Sequence, residues 1–321
     1  MPTVGFHASH EQIGPAQLLE DVRLAEAAGF GAAMCSDHLH PWSEAQGHSG
    51  NAWAWLGAAL ATTGLRFGTV TAPGQRYHPA ITAQAAATLA VMFPGRFWMA
   101  TGTGENLNES VTGDPWPPKD VRQDRLEECV DVMRRLFAGG EVTHRGLVTV
   151  ESARLWDVPA APPPMLVPAV STATAARGAA WADGLITINQ PVGKLRDILE
   201  SYRGAGGTGP ACLQVHLCWA PTEREAEGIA MDQWRANVVS PPVTWDLPTT
   251  AHFDSLATRT TPDDVRSGVL VSADLAEHAE KLAELAVVGF DEIYLHHVGT
   301  EQAPFIRAFG EHVLPRLKDT P

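Results

Sequence analysis

The sequence predicts a (β/α)8 barrel, and three observations carry that expectation. Short apolar runs alternate with amphipathic helical stretches from one end of the chain to the other, which is the pattern of β-α units closing around a parallel sheet. Eight such runs can be counted. The length of 321 residues also exceeds what one core usually reaches unless the fold is an α/β barrel. A doubly wound sheet would leave the last strands without a natural boundary, so residues 1–321 are read as one barrel domain.

The elements follow in order. Thr3 to Ala8 is strand-like, and Pro15 to Ala28 places Leu18, Leu19, Val22 and Ala25 at helical spacing before Gly29 stops it. Gly31 to Cys35 is the second strand. Arg66 to Thr71 is the third, backed by a helix over Pro79 to Met92, and Arg96 to Gly102 is the fourth. A long amphipathic helix over Asp120 to Phe137 ends at Gly139-Gly140, and Val142 to Leu155 alternates around Arg145-Gly146 as an inserted β-hairpin. Pro164 to Ala169, Gly184 to Ile188 and Cys212 to Trp219 read as strands five to seven. Their helices lie over Thr172 to Trp181, Val192 to Tyr202 and Glu223 to Ala236. Asp291 to His296 is strand eight, closed by a helix over Phe305 to Leu317. The Pro-rich stretch from Val238 to Asp264 breaks the period and predicts an irregular excursion over one face.

Composition narrows the partners. Lys and Arg number 23 against 37 Asp and Glu, a formal charge of -14, which opposes attraction to nucleic-acid phosphates and anionic lipid. No apolar run of about 18 residues spans a membrane, and the first residues lack a signal peptide, so a cytoplasmic protein acting on a small molecule is expected. Cys35, Cys129, Cys212 and Cys218 are scattered and read as buried reduced thiols.

Barrel chemistry sits at the carboxyl ends of the strands, so the loops that follow them hold the candidates. After strand two comes Ser36-Asp37-His38-Leu39-His40-Pro41-Trp42, where an Asp beside a His can adjust the ring as a general base. After strand four comes Thr101-Gly102-Thr103-Gly104-Glu105-Asn106-Leu107-Asn108-Glu109, whose glycines let the backbone approach a flat ligand and whose Glu105 can act as an acid. The third glycine of a dinucleotide fingerprint is missing. After strand five, Val170-Ser171-Thr172 opens a helix, and this is both a phosphate cradle and an ordinary N-cap. Two other classes stay open on the residues alone. His38 with His40, and His216 with His296 and His297, suit a metal-dependent hydrolase, although Pro41-Trp42 looks more like a pocket wall, and no metal site is expected. An inactive ligand-binding barrel is the other.

Together with Gly5-Phe6-His7-Ala8-Ser9 and Arg76-Tyr77-His78-Pro79-Ala80, these motifs resemble the luciferase-like family of flavin and deazaflavin barrels, within it the branch of coenzyme F420-dependent glucose-6-phosphate dehydrogenases. The resemblance covers nearly the whole chain. It implies that His38 takes the substrate hydroxyl proton as hydride leaves, that Trp42 lines the reaction site, and that Glu105 supplies a proton to the reduced ring. It places Asp37, Thr69, Val70, Thr71, Thr103, Gly104, Asn108, Val170, Ser171 and Thr172 around the coenzyme, with Trp42, Asn108 and Lys194 toward the substrate. Around Gly68-Thr69-Val70-Thr71 many members bulge a strand, often with a non-prolyl cis peptide.

Two departures modify the transfer. Of three basic residues that hold the sugar phosphate in that branch, only Lys194 remains; the others fall on Ser255 and Gly268, with Arg266 a substitute. Glucose 6-phosphate is therefore expected to be a poor substrate or none. A glycine pair becomes Val170-Ser171, a change that resembles a related branch returned to FMN, yet the presence of Asp37, His38, Trp42 and Glu105 favours coenzyme F420 over FMN; with FMN the chemistry would be that of a luciferase-like monooxygenase. The family resemblance also implies a homodimer, with Trp53-Ala54-Trp55-Leu56-Gly57 as a contact.

Overall fold

The computed structural model describes residues 1–238 and 242–318. Residues 239–241, within the excursion expected from Val238 to Asp264, lie outside the described residues. Eight parallel strands form the barrel: β1 Thr3–Ala8, β2 Ala32–Ser36, β3 Arg66–Thr71, β4 Phe97–Thr101, β5 Met165–Pro168, β6 Gly184–Ile188, β7 Ala211–Cys218 and β8 Glu292–His297. Each pairs with the next, and β8 returns to β1 with Glu292 opposite Thr3, so the ring closes. A short strand, Leu270–Val271, pairs with β7 outside the ring. The inserted hairpin is present as antiparallel strands Val142–Arg145 and Thr149–Ala153.

Successive residues of a strand face opposite sides, which sorts the core into two layers. In β4, Phe97 and Met99 pack outward under the helices, while Trp98 and Ala100 point into the barrel. In β8, Ile293 and Leu295 face outward and Tyr294 inward. Through β3 the pairing is residue for residue, with Gly68 opposite Met34 and Trp98, and Val70 opposite Ser36 and Ala100. No register slip through Thr71 marks the bulge expected there.

Two helices lie where the sequence reading names none. Ala52–Thr62 is capped by Asn51, whose side chain accepts from the Ala54 amide, and it buries Trp55, Leu56, Ala59 and Leu60 in the chain's own core. Its near-uniform apolarity hides the helical period. Trp55 and Leu56, two of the five residues of the expected dimer contact, are buried there, while Ala54 is exposed. Leu275–Ala286 is capped by Asp274. The excursion is helical rather than irregular, with short helices Val243–Asp246, Thr250–Ala257 and Pro262–Gly268. Thr261 and Asp264 form a capping box that starts the last of them. Among the described residues no helix is long and apolar enough to cross a membrane.

The amino-terminal half of the barrel is filled by Trp98 and Tyr294, both fully buried, with Trp98 Nε1 donating to Tyr294 Oη at 3.3 Å. Their rings need two glycines. A Cβ at Gly68 would stand 2.0 Å from Trp98 Cζ2, and one at Gly5 would stand 2.5 Å from Tyr294 Cδ1. Tyr294 in turn donates to Glu292, which pairs with Arg66 at 2.6 Å. Substituting Gly68→Ala forces Trp98 to move and is expected to cost about 1–3 kcal/mol, read as a lower urea midpoint. Combining it with Trp98→Leu should return part of the loss.

Candidate active site

The carboxyl-terminal half of the barrel encloses a cavity of about 540 Å3. Its organising group is an acid that the sequence reading passes over. Glu11 stands three residues beyond the end of β1, and it is buried. Its Oε1 lies 2.8 Å from His38 Nδ1, and its Oε2 accepts from Ser9 Oγ at 2.9 Å and Ser36 Oγ at 2.7 Å. Burial pushes the Glu11 pKa up, but the charge and hydrogen bond of His38 and the Ser36 hydroxyl outweigh it and hold the carboxyl below the usual range. For His38, burial disfavours the charge, and the Glu11 carboxylate reverses that and raises the ring to about 9. Nδ1 is thus committed to Glu11, which leaves Nε2 as the nitrogen available to a ligand.

The loop carrying His38 is pinned peptide by peptide. Arg76 Nη2 donates to the Asp37 carbonyl at 2.7 Å, Ser49 Oγ to the His38 carbonyl at 2.8 Å, and Asn108 Oδ1 accepts from the Leu39 and His40 amides at 2.8 and 3.2 Å. Asp37 itself is occupied by protein partners: its carboxylate accepts from Thr71 Oγ1 at 2.7 Å, Trp53 Nε1 at 3.2 Å and Tyr77 Oη at 3.2 Å. The Arg76 guanidinium lies between Asp37 and Glu109, 3.6 and 3.5 Å away.

Trp42 meets the His38 ring edge to face at 5.2 Å and rests on Phe253 of helix Thr250–Ala257 at 5.3 Å. The excursion therefore seats a wall of the site, and Thr250 Oγ1 donating to the Pro41 carbonyl at 3.1 Å reinforces it. Glu105 lines the same cavity. Burial raises its pKa to about 7, against the pull of His38 and with the push of Glu11 and Glu109. Just before it, Gly104 has φ +78°, and a Cβ there would stand 2.7 Å from Glu109 Cγ, so the turn requires glycine.

His38, Trp42, Glu105, Asp37, Val70, Thr71, Thr103, Gly104, Asn108 and Val170 all line this cavity. Four expected residues do not. Thr69 points outward, where its hydroxyl donates to the Cys35 carbonyl at 3.2 Å. Ser171 caps helix Thr172–Gly178 by accepting from the Thr174 amide, and Thr172 is exposed; Thr174 and Arg177 line the cavity instead. Lys194 is exposed on helix Val192–Gly204. Arg266 is held by Glu223 and Glu227 at 3.6 and 3.2 Å, and Ser255 is exposed, so neither supplies the expected phosphate contact.

Of the residues named for a metal hydrolase, His216 and His296 lie together at 5.3 Å between ring centroids, while His38 pairs with Glu11. His40 is exposed, and among the described residues no group of three or more His, Cys, Asp or Glu side chains is placed to hold a metal. His7, His216 and His296 instead line the cavity wall, and burial lowers His7 to about 4 and His216 to about 3. The local mark of Glu11 is only its place just past the first strand, at the rim where barrel chemistry is built.

A family model described as luciferase-like monooxygenase matches residues 1–292. The F420-dependent glucose-6-phosphate dehydrogenase of Microbacterium testaceum is 34% identical, with 98% of this chain and 97% of the relative covered. The F420-dependent hydroxymycolic acid dehydrogenase of Mycobacterium tuberculosis is 32% identical over 98% of this chain and 88% of the relative. Among solved structures, an F420-dependent secondary alcohol dehydrogenase in complex with an F420-acetone adduct superposes with a TM-score of 0.91 at 30% identity, covering 99% of this chain and 100% of that one.

Replacing Glu11 by Gln removes the carboxylate that keeps His38 charged. The His38 titration, followed by NMR of the ring protons, is expected to move down from about 9, and an unchanged value would disprove the coupling.

Proposed function

Because the chain belongs to the luciferase-like monooxygenase family, we propose that it is an oxidoreductase exchanging hydride between coenzyme F420 and an uncharged alcohol or carbonyl compound. The observation that carries this reading is the Glu11–His38 ion pair in one cavity with Glu105, two proton-handling groups held at different pKa values. The cavity fits a flat coenzyme. Val70 and the Gly102-Thr103-Gly104 turn line it, and Thr101 Oγ1 is a buried hydroxyl on its wall with no partner among the described residues. Lys119, Arg122 and Arg177 line it as well; Arg177 is already held by Glu127 and Asp124 and Arg122 by Asp246, so Lys119 and the unpartnered Arg122 Nε are the donors left for a phosphorylated tail.

When bound, the coenzyme supplies a planar hydride acceptor or donor. His38 Nε2 exchanges a proton with the substrate oxygen, while Glu11 stabilises the charged ring. Glu105 holds or releases the second proton that the redox change requires. Between about pH 7 and 9, His38 is charged and Glu105 ionised. That combination gives a donor to a carbonyl oxygen and an acceptor for the other proton, the pair that carbonyl reduction uses. The base role expected for His38 in alcohol oxidation requires the ring to be neutral first. Trp42 excludes water from the reacting oxygen, and Asn108 positions the loop through its carbonyl, which accepts from Leu39 and His40, while its amide nitrogen reaches Glu105 Oε2 at 3.5 Å.

The substrate is read as uncharged because the positions expected to hold a phosphate lie outside the cavity or, at Gly268, lack a side chain. The exposed apolar face of helix Pro79–Met92, with Ile81 and Met92 each 57% exposed, supports the homodimer.

Titration of oxidised F420 and of FMN into the protein, followed by tryptophan fluorescence, is expected to show tight binding of F420; binding of FMN alone would overturn the reading. With acetone as the oxidant of reduced F420, the rate should fall as pH rises through about 9 and His38 loses its proton. It should also fall as pH drops through about 7 and Glu105 gains one. Glu105→Gln should remove the acid limb and lower kcat by about 10²-fold or more, and glucose 6-phosphate should give no comparable turnover in the oxidation direction.

A further inference from the structure

The cavity wall formed by β1, β7 and β8 holds a chain of amides and imidazoles whose hydrogen-bond directions can be assigned one after another. Gln12 Nε2 donates to the Val298 carbonyl and reaches toward Gln233 Oε1. Its Oε1 is therefore the atom 2.8 Å from His296 Nε2. A carbonyl oxygen only accepts, so the His296 proton sits on Nε2. Burial, with His7, His216 and His297 nearby, keeps His296 neutral, well below its ordinary 6.5. Its Nδ1 is then an acceptor, and Gln214 Nε2 lies 3.3 Å from it. The same amino group is 3.1 Å from His216 Nε2. Turning the Gln214 amide over would require a doubly protonated His296, which burial opposes. His216 Nε2 therefore accepts, and the single proton of its neutral ring is on Nδ1.

That N–H finds no acceptor among the described residues, and His216 lines the cavity. The ring is held by Gln214 at Nε2 and by Trp234, which packs against the imidazole at 4.9 Å between centroids, and the His216 backbone amide is held by Asn189 Oδ1 at 3.0 Å. His7 stacks on His296 at 4.2 Å and is itself neutral at ordinary pH. The His7, Gln214, His216, Trp234 and His296 side chains thus make a polar wall without a charge. An anion here would lose its hydration without gaining a cation, whereas a neutral oxygen would gain a preoriented donor.

We propose that His216 is a fixed, neutral hydrogen-bond donor of the cavity, its Nδ1–H presented by the Gln12–His296–Gln214 relay to an uncharged oxygen of the bound ligand. That oxygen is a ring carbonyl of the coenzyme or a second oxygen of the substrate, apart from the reacting one. The ligand half of the proposal rests on the F420 reading, and the test separates the two.

Protein labelled with 15N-histidine is observed by long-range 1H–15N NMR, with the His216 signals assigned by their loss in His216→Gln. The free protein is expected to show His216 as the Nδ1–H tautomer and His296 as the Nε2–H tautomer; a protonated His216, or its proton on Nε2, overturns the relay. Oxidised F420 is then added, followed by acetone or by hydroxyacetone, which carries a second uncharged oxygen. A shift of the His216 Nδ1–H signal with F420 alone assigns the donor to the coenzyme. A shift with hydroxyacetone and not with acetone assigns it to the substrate. No shift in any arm, with F420 bound by fluorescence, overturns the donor role alone, whereas no F420 binding overturns the function reading and with it the ligand half. His216→Leu should weaken the responsible ligand about threefold to tenfold, and His216→Gln, which keeps a donor, should recover most of that.

Discussion

Glu11 carries its charge while almost wholly buried, and much of the site is arranged to make that tolerable. A buried carboxylate survives only with a cation and hydrogen bonds to its remaining lone pairs. His38 is the cation, and Ser9 and Ser36 supply the hydrogen bonds from either side. The depressed Glu11 stabilises the fold above its ordinary 4.5 and loses that contribution as pH falls through its folded value. The raised His38 contributes fully below 6.5 and loses it as pH climbs through about 9. The two overlap in full between about 4.5 and 6.5, and most of the contribution persists at neutral pH.

The same logic separates the acids of the site into different roles. Asp37 is compensated by Arg76 and by three hydrogen-bond donors, so it serves as a hub tying the loops after β2 and β3 together. Glu109 accepts from the Arg76 amide at 2.7 Å and lies against its guanidinium, an anchor for the turn after β4. Glu105 receives no cation of its own beyond the shared field of His38, and burial is left to dominate. One carboxyl is thus kept ionised beside an imidazole, another is raised by burial, and the difference lies in what stands beside each.

How much of this could be read in the sequence depended on the kind of signal. The strands were legible because their apolar runs are short, bounded and regular, and β3 and β6 fall where the reading put them. His38, Trp42 and Glu105 were legible because they sit in dense polar segments directly after strands. Glu11 was passed over because a single acid past a strand looks like any loop residue until the fold places it against a histidine 27 positions later in the chain. Ala52–Thr62 was missed for the opposite reason, an excess of apolar residues that erases the helical period. Lys194 and Arg266 were misplaced because their settings, an exposed helix and a pair with Glu223 and Glu227, are made by tertiary packing and leave no local mark.

The plug formed by Trp98 and Tyr294 beneath the cavity also decides from which side the cavity is reached. With the amino-terminal end of the barrel closed, molecules reach the site and leave it through the carboxyl-terminal face, where the excursion helices narrow the approach beside Trp42. The blind end of the chamber is then a property of how two aromatic rings fill a barrel, made possible by the absence of a side chain at Gly5 and Gly68.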